Sequence, residues 1–156
     1  PDKEILADMK TCDAGKYETL QAIHAGADIT TVMAFAANNT ISDCLRVAEK
    51  NERIVMIDLL EVRSKERIAE LKDLGVKLVC LHIGKDSQKD QALSSELFSL
   101  VKGFNFQVAV AGGINLETLP LIVAEKPDIV IVGSAITKHP NPKDVAREIK
   151  KMISQS

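Results

Sequence analysis

The stretch FQVAVAGGINLETLPLIVAEKPDIVIVGSAI, residues 106–136, decides the fold class. It holds two apolar runs of strand length, FQVAVAGG (106–113) and DIVIVGSAI (128–136), and each ends in small residues that open onto a helical pattern. In (β/α)₈ barrels, the loops after the last two strands commonly form a phosphate site from backbone N–H groups. A dinucleotide-binding sheet would instead carry GxGxxG after its first strand, and this sequence has no such motif. The stretch therefore favours a barrel over a doubly wound sheet.

The same strand-then-helix alternation runs through the whole chain of 156 residues, with no hairpin signal. Alternation of this kind predicts a parallel sheet with right-handed crossovers, and continuous Val, Ile and Leu runs are typical of strands covered on both faces. We predict a single α/β domain over 1–156 that supplies about six βα units of a (β/α)₈ barrel, with the two N-terminal units missing. The predicted strands cover 4–9, 28–36, 53–60, 77–84, 106–113 and 128–136; the predicted helices cover 15–27, 40–51 (capped by Thr40 or Ser42), 64–75, 92–103, 115–126 (broken near Pro120) and 141–154.

Composition excludes several classes of function. A net charge of −2 gives no basic field for nucleic acid, and 46% apolar residues are enough for a substantial core. No apolar run is long enough to span a membrane, and no secretory leader is recognisable. Cys12, Cys44 and Cys80 are odd in number and lack CxxC spacing, which predicts reduced thiols in a cytoplasmic protein.

The first strand ends in an unusual group of charges, in ILADMKTCDAG (5–15). Asp8 and Lys10 are two residues apart, so both side chains should point into the mouth of a barrel, with Asp13 shortly beyond. A fixed ammonium beside a carboxylate can stabilise a developing oxyanion while the carboxylate holds a metal ion. The alternative is a structural ion pair at a strand end, and these three residues alone favour function only slightly.

Other strands also carry polar or small residues at their carboxyl ends. Asp58 ends the third strand, where a lone Asp is more often a loop cap, although its position matches that of Asp8. His82 ends the fourth strand, where an imidazole can act as a general acid or base, although a lone His is usually structural. Two weak glycine motifs on successive strands together indicate a phosphate site, at Gly112, Gly113, Gly133 and Ser134.

Five motifs in order resemble one enzyme family. DMKTCDAG (8–15) is similar to the D-x-K-x-x-D signature of the orotidine-5′-phosphate decarboxylase superfamily. With AGADITTV (25–32), LHIGKD (81–86), AVAGGIN (109–115) and IVGSAIT (131–137), the chain resembles the branch of 3-hexulose-6-phosphate synthase and 3-keto-L-gulonate-6-phosphate decarboxylase. The resemblance covers essentially the whole chain.

The resemblance implies a homodimeric, Mg²⁺-dependent aldehyde-lyase that forms a 1,2-enediolate from D-ribulose 5-phosphate and adds it to formaldehyde. By position, Asp8 would bind the metal, Lys10 would stabilise the enediolate oxygen and His82 would move the proton. Asp13 would reach the neighbouring subunit's site. The expected substrate-binding residues are Asp58, Lys85, Gly112, Gly113, Gly133 and Ser134.

Two departures from the family pattern keep alternatives open. The family's first two strands carry an Asp and a metal-binding Glu, and neither strand is in this chain, so a non-catalytic sugar-phosphate binding module is one alternative. Lys85 stands where the decarboxylases resemble one another in having Arg, and it keeps the charge without the bidentate fork. Asp58 and VGSAIT favour the synthase, with the decarboxylase as the other alternative.

Overall fold

The six apolar runs all form strands of one parallel sheet, with helices between them. The computed structural model describes residues 2–83 and 95–154. In chain order its elements are β1 (Leu6–Thr11), α1 (Gly15–His24), β2 (Ile29–Met33), α2 (Asn38–Lys50), β3 (Ile54–Asp58), α3 (Lys65–Asp73), β4 (Leu78–His82), α4 (Ser95–Ser99), β5 (Gln107–Ala111), α5 (Leu119–Ala124), β6 (Ile129–Ile131), α6 (Ser134–Thr137) and α7 (Pro142–Ser154).

The order of the strands distinguishes a barrel from a doubly wound sheet. The sheet runs β1-β2-β3-β4-β5-β6, and every neighbouring pair is parallel. A doubly wound sheet reverses its strand order at a switch point, whereas a barrel keeps sequence order. The edge strands β1 and β6 also line one cavity, so the sheet is curled. The prediction of six consecutive βα units of a barrel is confirmed.

The two faces of the sheet have different neighbours. On the outer face, Val32, Ile57 and Val79 are fully buried beneath the helices, and each such side chain contributes roughly 1.5–3 kcal/mol relative to full exposure. The inner face has a smaller apolar cluster that includes Met56 and Leu78. This cluster lies on the same face as the polar strand ends, so an apolar layer lies beneath them.

Helix α5 differs from the helix predicted over 115–126. It begins at Leu119, and Pro120 lies in its first turn instead of breaking it. Proline is tolerated there because its missing N–H would have no helical partner. The preceding residues form a turn in which Asn115 Oδ1 accepts from the Thr118 backbone N–H at 2.9 Å.

Two other local predictions also differ from the structure. Helix α2 begins at Asn38 after Ala37, with no side-chain cap, so neither Thr40 nor Ser42 caps it. The run predicted as strand over 128–136 is a strand only at Ile129–Ile131. Its end forms the short helix α6, because the chain turns at Gly133. Among the described residues, no helix combines the length and apolarity needed to cross a bilayer.

Candidate active site

A cavity of about 430 Å³ opens at the carboxyl ends of the strands. That volume lies in the range of small-molecule sites. Its walls come from strands that are distant in sequence, including both edges of the sheet. The predicted site residues that line it are Asp8, Lys10, Asp58, His82, Gly112, Gly113, Gly133 and Ser134.

Lys10 joins two carboxylates on one side of the cavity. Its Nζ donates to both oxygens of Asp8 at 2.9 Å and to Asp58 Oδ2 at 2.9 Å. Burial lowers the pKa of Lys10, but the hydrogen bonds and charges of Asp8 and Asp58 outweigh it, so the pKa lies above its usual value. Lys10 is therefore a fixed ammonium, and its side chain stays 36% exposed to the cavity.

Asp58 is the buried residue that contacts both Lys10 and His82. Its side chain is 3% exposed, and Oδ2 lies 2.9 Å from His82 Nδ1. The Leu60 backbone N–H donates to its Oδ1 at 2.9 Å. Burial raises the pKa of Asp58, but the hydrogen bonds and charges of His82 and Lys10 outweigh it and hold the pKa below its usual value. An ionised Asp58 accepts only, so His82 Nδ1 carries a proton, and in the neutral ring Nε2 has a free lone pair.

The cavity wall formed by the loops after β5 and β6 consists of main chain with small side chains. Gly112 has φ of 100°, and a Cβ there would lie 2.1 Å from the carbonyl oxygen of Ile83. Only glycine fits this position, which brings the β5 loop against the end of β4. Gly133 and Ser134 line the same side after β6. Their exposed backbone allows a ligand to approach the main chain closely.

Sequence reasoning missed Lys138, which also lines the cavity. The next residue, His139, is exposed and accepts a hydrogen bond from the Asn141 backbone N–H at 3.1 Å. The signal that could have found Lys138 is spacing: it follows Ser134 by four residues across the helical turn α6, so both lie on one side. The cavity is thus lined by two lysines, Lys10 on edge strand β1 and Lys138 after edge strand β6.

One predicted site residue does not take part in this geometry. Asp13 is exposed and does not line the cavity. Lys85 lies outside the described residues, so its predicted role stays a prediction.

The carboxylates present fit a magnesium ion only with help from a ligand. Within residues 2–83 and 95–154, no group of three or more His, Cys, Asp or Glu side chains could hold a metal ion. Asp8 is 55% exposed, whereas Asp58 is enclosed by its partners. Mg²⁺ is often held by one or two carboxylates, with water and substrate oxygens completing its shell. The donor set therefore fits Mg²⁺ held by Asp8 together with ligand oxygens.

Fold and site together define a (β/α)-barrel protein with an ammonium, a buried carboxylate and an imidazole at the carboxyl ends of its strands. Residues 2–149 match the family model described as Orotidine 5'-phosphate decarboxylase / HUMPS family. The 3-hexulose-6-phosphate synthase of Bacillus subtilis (strain 168) is 39% identical over 158 residues, covering 99% of this chain and 75% of that protein. The chain belongs to the Orotidine 5'-phosphate decarboxylase / HUMPS family.

Solved structures support the same assignment. The 3-hexulose-6-phosphate synthase from Salmonella typhimurium superposes with a TM-score of 0.95 at 35% identity, over 99% of this chain and 75% of that one. KGPDC from Streptococcus mutans, solved as a ligand complex, gives a TM-score of 0.91 at 26% identity, over 99% of this chain and 74% of that one. This similarity over almost the whole chain confirms the family resemblance that the motifs predicted.

Proposed function

We propose that this protein is a 3-hexulose-6-phosphate synthase, an aldehyde-lyase that adds D-ribulose 5-phosphate to formaldehyde. The observation that carries the proposal is one cavity lined by Lys10, Asp58 and His82 together with the glycine-rich loops after β5 and β6. Relatives named as this synthase are 33–39% identical to the chain.

His82 is the group proposed to move the proton. Its Nδ1–H donates to Asp58, so Nε2 can take a proton from C1 of the ketose phosphate. The electron pair left by that bond forms a 1,2-enediolate, whose oxygen charge the Lys10 ammonium offsets. The C1 carbon then forms a bond to the carbon of formaldehyde. The formaldehyde oxygen takes up the proton from the imidazolium, so His82 ends neutral.

The phosphate of the substrate is proposed to bind at the glycine side. Gly112, Gly113 and Gly133 present backbone without side chains, and Lys138 adds a positive charge. Backbone N–H groups and a cation are a common combination for phosphate. Binding the phosphate there and the carbonyl end near Lys10 would fix the direction of the sugar across the cavity.

A magnesium ion is proposed to bind at Asp8. When bound, it supplies positive charge to the substrate oxygens. The residues of the chain orient the sugar and move the proton. Asp13 lies just beyond the end of β1 and is exposed. We propose that it acts in the neighbouring site of a homodimer.

An assay of the full protein with both substrates tests the proposal. Uptake of formaldehyde that depends on D-ribulose 5-phosphate supports the synthase. Binding of D-ribulose 5-phosphate in calorimetry, without turnover and without a need for Mg²⁺, would instead support the non-catalytic binding module. Dialysis against a chelator, followed by return of Mg²⁺, tests the metal separately from the substrate.

Decarboxylation of 3-keto-L-gulonate 6-phosphate is a second candidate. The observation that favours it is the superposition with KGPDC, whose backbone matches this chain at a TM-score of 0.91. The same enzyme preparation should be tested for CO₂ release from that substrate. Release of CO₂ without uptake of formaldehyde would replace the synthase by the decarboxylase.

A further inference from the structure

Strand β1 is not regular beside β2. Ala7 pairs with Thr30 and Thr11 pairs with Val32, so β1 advances four residues while β2 advances two. Residues 8–10 therefore form a bulge opposite Thr31. The two extra residues keep the alternation of the strand, so side chains on either side of the bulge face as they would in a regular strand.

The bulge contains an unfavourable backbone conformation. Lys10 has φ of 50°, in the left-handed region that residues other than glycine rarely adopt. A residue held there needs support from its surroundings. Lys10 is also the residue whose ammonium links Asp8 and Asp58. The support for its backbone thus bears directly on the site.

The hydroxyl of Thr31 supplies that support. Its Oγ1 accepts from the backbone N–H of Lys10 at 2.8 Å and donates to Asp8 Oδ1 at 2.9 Å. Thr31 is 1% exposed, so water does not replace these bonds easily. One buried hydroxyl thereby fixes the backbone of Lys10 and the carboxylate of Asp8 at once.

The neighbouring threonine shows the contrast. Thr30 is also 1% exposed, yet its Oγ1 has no hydrogen-bond partner among the residues that the structure describes. Successive residues of a strand point to opposite faces, so Thr30 faces away from the bulge. The two side chains are identical in size and burial and differ in their bonds.

We propose that Thr31 is a positioning residue, whose hydroxyl sets the geometry of the Asp8–Lys10 pair through the β1 bulge. The effect on turnover rests on the proposed function, whereas the effect on the bulge does not. Without the hydroxyl, the Lys10 N–H loses its acceptor and the left-handed turn is free to relax. The ammonium then moves relative to Asp58 and to any oxygen it stabilises.

The first test is independent of activity. Thr31→Val keeps the shape and removes the hydroxyl, Thr31→Ser keeps the hydroxyl, and Thr30→Val is the matched control. In the full protein, we expect exchange of the Lys10 amide hydrogen to be roughly tenfold faster in Thr31→Val. It should be unchanged in the other two variants. Equal exchange of this amide in all variants would overturn the proposal, and Thr31→Cys replaces Thr31→Val if the latter does not fold.

The second test is kinetic. Thr31→Val should lower kcat by up to roughly 100-fold, because small displacements of a charge-stabilising group have effects of this size. KM should change little in Thr31→Val, since the glycine loops that line the cavity are untouched. Thr31→Ser keeps the hydroxyl, so its kcat should stay near that of wild type. A wild-type protein without synthase activity would refute the proposed function alone. An active enzyme with normal kcat in Thr31→Val would refute the positioning role alone.

Discussion

His82 Nδ1 lies 2.9 Å from Asp58 Oδ2, and this contact follows from the register of two neighbouring strands. Asp58 on β3 pairs with Cys80 on β4, so His82 lies two residues further along β4 and on the same face. Parallel strands in consecutive order thus bring a carboxylate and an imidazole together without any loop. The rigidity of the sheet fixes the orientation of the ring, which a proton-transfer group needs.

Replacing Asp58 should therefore disable His82. In Asp58→Asn the amide cannot act as a purely accepting partner for both Lys10 and His82, so the ring loses its fixed tautomer. We expect kcat of the full protein to fall by at least about 100-fold, the lower end for general acid–base groups. Asp43→Asn is the control, since Asp43 is an exposed partner of Arg46. Unchanged kcat in Asp58→Asn would contradict the assigned role.

Asp58 should also shape the stability of the protein in acid. Its pKa is lower in the folded than in the unfolded chain, so the unfolded chain binds more protons there. The stabilisation is therefore complete above about pH 4, near the usual pKa of Asp, and is lost as the pH falls through the folded pKa. Urea unfolding across this range should show a shallower loss of stability for Asp58→Asn than for wild type. An equal slope in both would contradict the prediction.

The sequence was sufficient to predict which strand ends line the cavity. Asp8, Asp58 and His82 each stand at the end of an apolar run, and the carboxyl ends of parallel strands must meet at one rim. The paired glycine motifs of β5 and β6 followed from the same reasoning. Burial was not predictable in this way, because the near-complete enclosure of Asp58 depends on the curvature of the sheet.

Two features of the site depend on geometry that residue patterns do not record. LADMKT (6–11) reads as a regular strand, and nothing in its composition indicates the bulge or the left-handed Lys10. Lys138 follows a run predicted as strand to residue 136, whereas a short helical turn carries it to the cavity. Both residues lie just beyond the ends of the predicted strands, 4–9 and 128–136, where the local backbone and not the residue pattern sets their direction.

Lys10 should be needed for turnover, and Arg should not replace it. Its Nζ contacts three carboxylate oxygens at 2.9 Å as a compact charge, a geometry that a planar guanidinium does not reproduce. We expect Lys10→Ala to lower kcat by roughly 100- to 1,000-fold, as for the loss of one charge-stabilising donor. Lys10→Arg should recover little of it. Lys16→Ala, at an exposed position of α1, is the control, and near-normal turnover in Lys10→Ala would refute the role.

Gly112 should be required for the stability of the fold, because a side chain there has no room. A methyl group there would lie 2.1 Å from the Ile83 carbonyl oxygen, at a φ of 100°. Strain and overpacking together predict that Gly112→Ala lowers the free energy of unfolding by about 2–5 kcal/mol. Gly75→Ala separates the two effects, because Gly75 has φ of 87° with open space around it. Chemical denaturation should show the smaller loss at Gly75, and equal losses would contradict the steric argument.

Lys138 should affect substrate binding without affecting the chemical step. It lines the cavity with Gly133 and Ser134 after β6, whereas Lys10 lies on β1, at the other edge of the sheet. A cation that contacts only the phosphate stabilises ground state and transition state equally, so its loss raises KM and leaves kcat unchanged. We expect Lys138→Ala to raise KM for D-ribulose 5-phosphate by roughly tenfold and to weaken its dependence on salt.

The adjacent residue provides the control for Lys138. His139 is exposed, does not line the cavity and holds the Asn141 backbone N–H, so His139→Ala should leave both constants near wild type. Steady-state kinetics at two salt concentrations distinguish the outcomes. A lower kcat with unchanged KM in Lys138→Ala would place Lys138 with the chemistry of Lys10. The phosphate would then have to bind through the glycine backbone alone, and the proposed direction of the sugar across the cavity would lose its second charge.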